Sequence, residues 1–242
     1  LYVSDKIPFA YDYADNDPDV YPSYSNHGTH VAGIVGAVNN NGKGVCGVAG
    51  GTGNGDGVRL MGCQIFTGGT SSNTSAAAIA FVYAADNGAH IAQCSFGYQN
   101  GTYGSDYEYY QNYSVEYFAI RYFLDTERFA EVDKNRTKII DGPLIIFAAG
   151  NDSYGSASYP GALMDCICVT GLGPDGFPAS YTNYGPGTNI SAPGGDYAIN
   201  STSSTPQRAQ ILSTLPKELG NGDYGYMQGT SMACPHVSGV VA

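Results

Sequence analysis

Strand-length apolar runs and helix-patterned stretches take turns along this 242-residue chain, and that alternation limits the folds open to it more than any other feature. Val58 to Phe66 reads as a strand, Ser75 to Asp86 as an alanine-rich helix closed by Asn87-Gly88, and Ile91 to Ser95 as a second strand. Leu144 to Ala148 and Cys166 to Thr170 add two more short apolar runs. Strands alternating with crossover helices predict an α/β fold, with a central, mostly parallel sheet between two helical layers. Ligands in such sheets gather at the carboxyl ends of the strands. Near the start, Val31, Ile34, Val35 and Val38 follow an i, i+3, i+4, i+7 spacing, which predicts a helix with His27 at its N-terminal end.

The length suits one domain with a substantial core. The chain opens on Leu1 and closes within the apolar Val240-Val241-Ala242, so it reads as a partial domain, 1–242, incomplete at both ends. A tyrosine-rich insertion at about 98–142 is longer than an ordinary connection; it should hold its own helix, with Val115, Phe118, Tyr122 and Leu124 to Phe129 as the apolar face. Asp5 to Asp19 and Gly50 to Gly57 read as polar loops. Ten basic residues against 21 acidic give a net charge of −11, which repels phosphate backbones and argues against a nucleic-acid partner. No apolar run approaches the roughly 18 residues of a membrane span. The six cysteines lack CxxC spacing, so zinc is not expected, and Cys166 and Cys168 should pack into the core from one strand face.

Chemistry concentrates in three places. Gly229-Thr230-Ser231-Met232-Ala233-Cys234-Pro235-His236 offers a hydroxyl nucleophile, with a glycine that permits close backbone approach and a proline that removes one amide from the helix start. A serine hydroxyl needs a base at neutral pH, and His27, in Ser25-Asn26-His27-Gly28-Thr29-His30-Val31-Ala32-Gly33, has a suitable pKa. Phe147-Ala148-Ala149-Gly150-Asn151 is an apolar strand that stops at a glycine and presents an amide side chain.

All three segments resemble motifs of subtilisin-like serine peptidases, the subtilases. The resemblance implies a serine endopeptidase acting on polypeptides through an acyl-enzyme on Ser231, with His27 as general base. Asn151 and the Ser231 N–H would hold the oxyanion, and His30 and His236 would serve as structural hydrogen-bonding groups. Ser95-Phe96-Gly97 resembles the family segment beside the substrate pocket, Ser158-Tyr159-Pro160 its far wall, and Ala149 and Gly150 complete the implied substrate-binding set. Ala192-Pro193-Gly194 and Ser213-Thr214-Leu215-Pro216 match further landmarks. No cofactor is required by that chemistry; Asn39-Asn40-Asn41-Gly42 lies where many members carry a calcium loop, and no ligands are assigned there. The implied setting is secreted or cell envelope, as in large bacterial members. The family's triad aspartate normally ends a strand in an Asp-Ser/Thr-Gly motif that this chain lacks. The expectation is therefore that the aspartate lies upstream of Leu1 and that these residues alone are inactive. A catalytically silent module for peptide binding or scaffolding is the alternative.

Overall fold

The computed structural model describes residues 6–20, 25–67, 71–72, 74–133, 141–200 and 206–242. In chain order the elements are β1 (Phe9–Asp12), α1 (His27–Gly36), β2 (Met61–Gln64), β3 (Phe66–Thr67), β4 (Ser71–Ser72), α2 (Thr74–Asp86) and β5 (Ile91–Cys94). There follow α3 (Asp106–Asn112), α4 (Ser114–Phe123), α5 (Thr126–Asp133), β6 (Leu144–Ala148), β7 (Ile167–Leu172), β8 (Ile190–Pro193), β9 (Ile211–Thr214), β10 (Tyr224–Met227) and α6 (Thr230–Val241). By their contacts these fall into two units, one of residues 1–25, 59–92 and 105–145, the other of 26–58, 93–104 and 146–242.

The first unit corrects three sequence expectations. The acidic stretch read as loop contains β1, which pairs in parallel with β2 from Phe9 opposite Met61 to Asp12 opposite Gln64. Alternation of Phe9, Ala10 and Tyr11 is too short to stand out between so many carboxylates, and the partner strand supplies the order. Val58 to Phe66 is not one strand, because the pairing partner changes at Ile65: β2 joins β1, whereas β3 pairs antiparallel with β4. Among its described residues the insertion holds three helices rather than one; Phe129 is buried as expected, whereas the buried face of α4 is rotated from the predicted one. Val115 and Phe118 are 64 % and 57 % exposed, while Ala119, Ile120 and Phe123 face inward with Glu116. Packing against α2 sets that rotation, with the Phe81 and Phe123 rings edge-on at 6.3 Å. The buried Glu116 accepts a 2.8 Å hydrogen bond from Tyr109 Oη, which offsets part of its desolvation.

In the second unit, β6, β7 and β8 run parallel, with Ile146 opposite Ile167 and Val169 opposite Ile190; β5 is the outer neighbour of β6. Ile146, Phe147, Cys168 and Val169 are fully buried, the two-sided burial typical of parallel strands. Cys166 and Cys168 are buried in this core, as expected, and burial pushes the Cys168 thiol up to about 12. β9 and β10 form an antiparallel hairpin against α1. Ser213 and Thr214 donate their hydroxyls to the His30 and Thr29 carbonyls at 2.7 and 2.9 Å. Gly33 permits this approach: a Cβ there would sit 2.2 Å from Thr214 Oγ1. His30 Nε2 lies 3.1 Å from both the Ile211 and Gly225 carbonyls, so it carries the proton, and burial lowers the pKa of this imidazole. No helix among the described residues is long and apolar enough to cross a membrane.

Candidate active site

Ser231, Asn151, Phe96, Gly97, Gly150 and Ser158 gather where β5 and β6 end, as ligand sites of parallel sheets do. Ser231 is the second residue of α6, and Gly229, at φ 144°, turns the chain into that helix. An α-helix leaves its first amides without intrahelical acceptors, and here most are accounted for. Thr230 N–H donates to Asn151 Oδ1 at 2.8 Å, and the Met232 and Ala233 amides reach the Gly229 carbonyl at 2.9 and 3.2 Å. The Ser231 N–H is the first-turn amide committed to neither.

Thr230 also settles which way Asn151 faces. Its backbone amide can only donate, so the Asn151 atom opposite it is the carbonyl oxygen, which also accepts Thr230 Oγ1–H at 2.9 Å. Asn151 Nδ2 is thereby turned away as a donor, and a Cβ on Gly229 would stand 3.4 Å from it. Gly150, at φ 107°, delivers the amide to this position; a Cβ there would lie 2.1 Å from Asn183 Nδ2.

Pro235 is the sixth residue of α6, inside the helix rather than at its start. It has no N–H for the Ser231 carbonyl one turn back. Ser95 Oγ fills that vacancy, donating to Ser231 O at 2.8 Å while accepting from Gln93 Nε2 at 2.7 Å. The Ser231 hydroxyl lies 3.4 Å from the Ser95 carbonyl.

His27 is the first residue of α1, which packs against α6. Val31 and Ile34, on the turns after His27, share an apolar cluster with Met232, the residue after Ser231. Burial lowers the His27 pKa, so the ring is neutral at neutral pH and can accept a proton.

Ser231, Asn151, Phe96, Gly97, Gly150 and Ser158 all line one cavity of about 360 Å³. Two residues of the expected substrate set lie elsewhere: Ser95 supports the Ser231 carbonyl, and Ala149 is fully buried, its carbonyl accepting from Asn183 Nδ2 at 2.8 Å. Tyr98 and Gln99, assigned from sequence to the insertion, also line the cavity. Thr230, Asn183 and Asn100 had no role in the sequence reading. Thr230 stood inside the serine motif, whereas nothing local marks an asparagine whose partners are remote in sequence.

The first unit holds a buried carboxylate. Asp12 ends β1 and is 2 % exposed; its Oδ1 accepts the Ala14 and Asp15 amides at 2.8 and 3.1 Å, and its Oδ2 accepts Gln64 Nε2 at 2.5 Å. In the Asn39-Asn40-Asn41-Gly42 loop, Asn39 Oδ1 is buried without a partner, and the described residues contain no group of three acidic, histidine or cysteine side chains suited to a metal.

A serine at a helix start, two amide donors beside it and a neutral imidazole on the adjoining helix form the equipment of a serine hydrolase built on a parallel sheet. The Subtilase family profile matches residues 4–242, and the chain belongs to that family. It is 33% identical over 232 residues to halolysin of Haloferax mediterranei, covering 95% of this chain and 35% of that protein. A thermophilic serine proteinase from a Bacillus species is 32% identical over 237 residues, 98% of this chain and 46% of the relative. The halolysin-like extracellular serine protease Nep of Natrialba magadii is 30% identical over 234 residues, 96% of this chain and 34% of that protein. The chain thus spans less than half the length of these relatives. Among solved structures, a protease from Pseudoalteromonas arctica superposes with a TM-score of 0.71 at 28% identity, over 97% of this chain and 70% of the other.

Proposed function

We propose that the chain is a serine endopeptidase domain that cleaves polypeptides through an acyl-enzyme on Ser231. The Asn151 amide, locked by Thr230 with its Nδ2 turned out beside the uncommitted Ser231 N–H, is the observation that carries the reading. Such a pair of donors serves a tetrahedral oxyanion and has no structural purpose of its own. Ser231 Oγ attacks the peptide carbonyl as His27 takes its proton; the oxyanion collapses, the C–N bond breaks, and His27 returns the proton to the departing amine. Water then repeats the sequence and releases the acid.

Asp12 is held within the first unit by three neutral donors, the Ala14 and Asp15 amides and Gln64 Nε2, and is assigned no part in the chemistry. The extracellular relative supports a secreted or cell-envelope setting.

A fluorophosphonate probe should label Ser231 in the purified protein, and Ser231→Ala should abolish labelling and peptide hydrolysis together. Absence of labelling in folded protein overturns the peptidase reading.

A further inference from the structure

We propose that the cavity beside Ser231 selects a cationic side chain, lysine or arginine, on the substrate residue whose carbonyl is attacked, with Asp152 as the selecting group and Asn100 as the residue that aims it. The inference rests on the peptidase reading and adds the substrate class.

Among the residues lining the cavity, Asp152 alone carries a charge. Its backbone is fixed by a 3.0 Å hydrogen bond from its N–H to Asn183 Oδ1, and its Oδ2 accepts Asn100 Nδ2. Asn100 Oδ1 in turn accepts Ser158 Oγ–H at 2.7 Å and Asn183 Nδ2–H at 2.8 Å. This chain of bonds straps the wall that follows β5 to the wall that follows β6. Ser158 spends its only proton on Asn100, and Asn100 bonds through both ends of its amide. Asp152 Oδ1 keeps its lone pairs, with no hydrogen bond to it among the described residues. An acceptor-only group of negative charge suits a side chain that only donates, an ammonium or guanidinium. Phe96, Gly97 and Gly150 leave flat, apolar walls for the aliphatic stem of such a side chain. A glutamate in the same place would meet like charge. The net charge of −11 adds long-range attraction for cationic peptides.

Asp152 is exposed to solvent, so the selectivity is modest, about twofold to fivefold. The test compares kcat/KM of the full chain on three fluorogenic peptides that differ only in carrying lysine, methionine or glutamate before the cleaved bond. Lysine should lead and glutamate trail. Asp152→Asn should lower the lysine-to-methionine ratio by about twofold to fivefold, Asp152→Glu should keep the preference, and Asn100→Ala should lower the ratio by about twofold. Added salt should erode the lysine advantage. An unchanged ratio in Asp152→Asn, or a wild-type preference for methionine, overturns the proposal while leaving Ser231 labelling intact. Failure to cleave any of the three, with no labelling, takes the peptidase reading down with it.

Discussion

Replacing Ser95 with alanine tests how this helix tolerates its internal proline. Pro235 denies the Ser231 carbonyl its intrahelical donor, and the Ser95 hydroxyl supplies a substitute at 2.8 Å. Ser95→Ala leaves a partly buried carbonyl unpaired, a loss of about 1–2 kcal/mol. For a domain of this size that is a melting-temperature decrease of roughly 2–8 °C. The size alone would not identify the cause, because Gln93 also loses its 2.7 Å bond to Ser95. A double-mutant cycle isolates it. In a Pro235→Ala background residue 235 regains an N–H that can reach the Ser231 carbonyl, whereas the Gln93 loss is common to both backgrounds and cancels. The Ser95→Ala cost should therefore shrink by about 1 kcal/mol when residue 235 is alanine. Urea denaturation midpoints at constant m give the four free energies, measured in a Ser231→Ala background that prevents self-cleavage and keeps the backbone carbonyl. Equal costs in the two backgrounds would refute the compensation argument.

The pH dependence has a definite sign. His27 must be neutral to act as base, and burial lowers its pKa, so the acid limb of kcat/KM should fall below the ordinary imidazole value. The same depression in His30 and His236 means that the unfolded chain binds protons more readily than the folded one; stability is complete above the unfolded histidine pKa and should decline as pH falls through that range in a denaturation series. In the insertion, Phe123→Ala should cost about 3–5 kcal/mol, because the ring is fully buried against Phe81. Phe118→Ala should cost about 1 kcal/mol or less by chemical denaturation, and a reversal of that order would contradict the helix rotation.

The strands and helices that could be read directly share one property: their signal is local and strong. α2 is thirteen residues of mostly alanine, valine and isoleucine closed by Asn87-Gly88, and β6 is an unbroken apolar run between turns. The face of α4 could not be read. Glu116 on its inner side breaks the apolar pattern, and the phenolic hydroxyl that makes the burial tolerable belongs to another helix. β1 escaped notice for a related reason, since four residues among aspartates gain their strand character only from pairing with β2.

For the chemistry the division is similar. The amino-acid order by itself marked the residues proposed as nucleophile, base and oxyanion donor, because Ser231, His27 and Asn151 each sit in a contiguous motif whose glycines and helix starts are short-range requirements. Folding decided everything that depends on partners distant along the chain. It made Asp12 a buried carboxylate rather than a loop charge, turned the Asn151 amide by means of Thr230, gave the Ser231 carbonyl to Ser95, and tied Asp152 to Asn100. A hydrogen bond is set by where two groups meet in space, and the spacing of letters carries that information only within a turn or two of the chain.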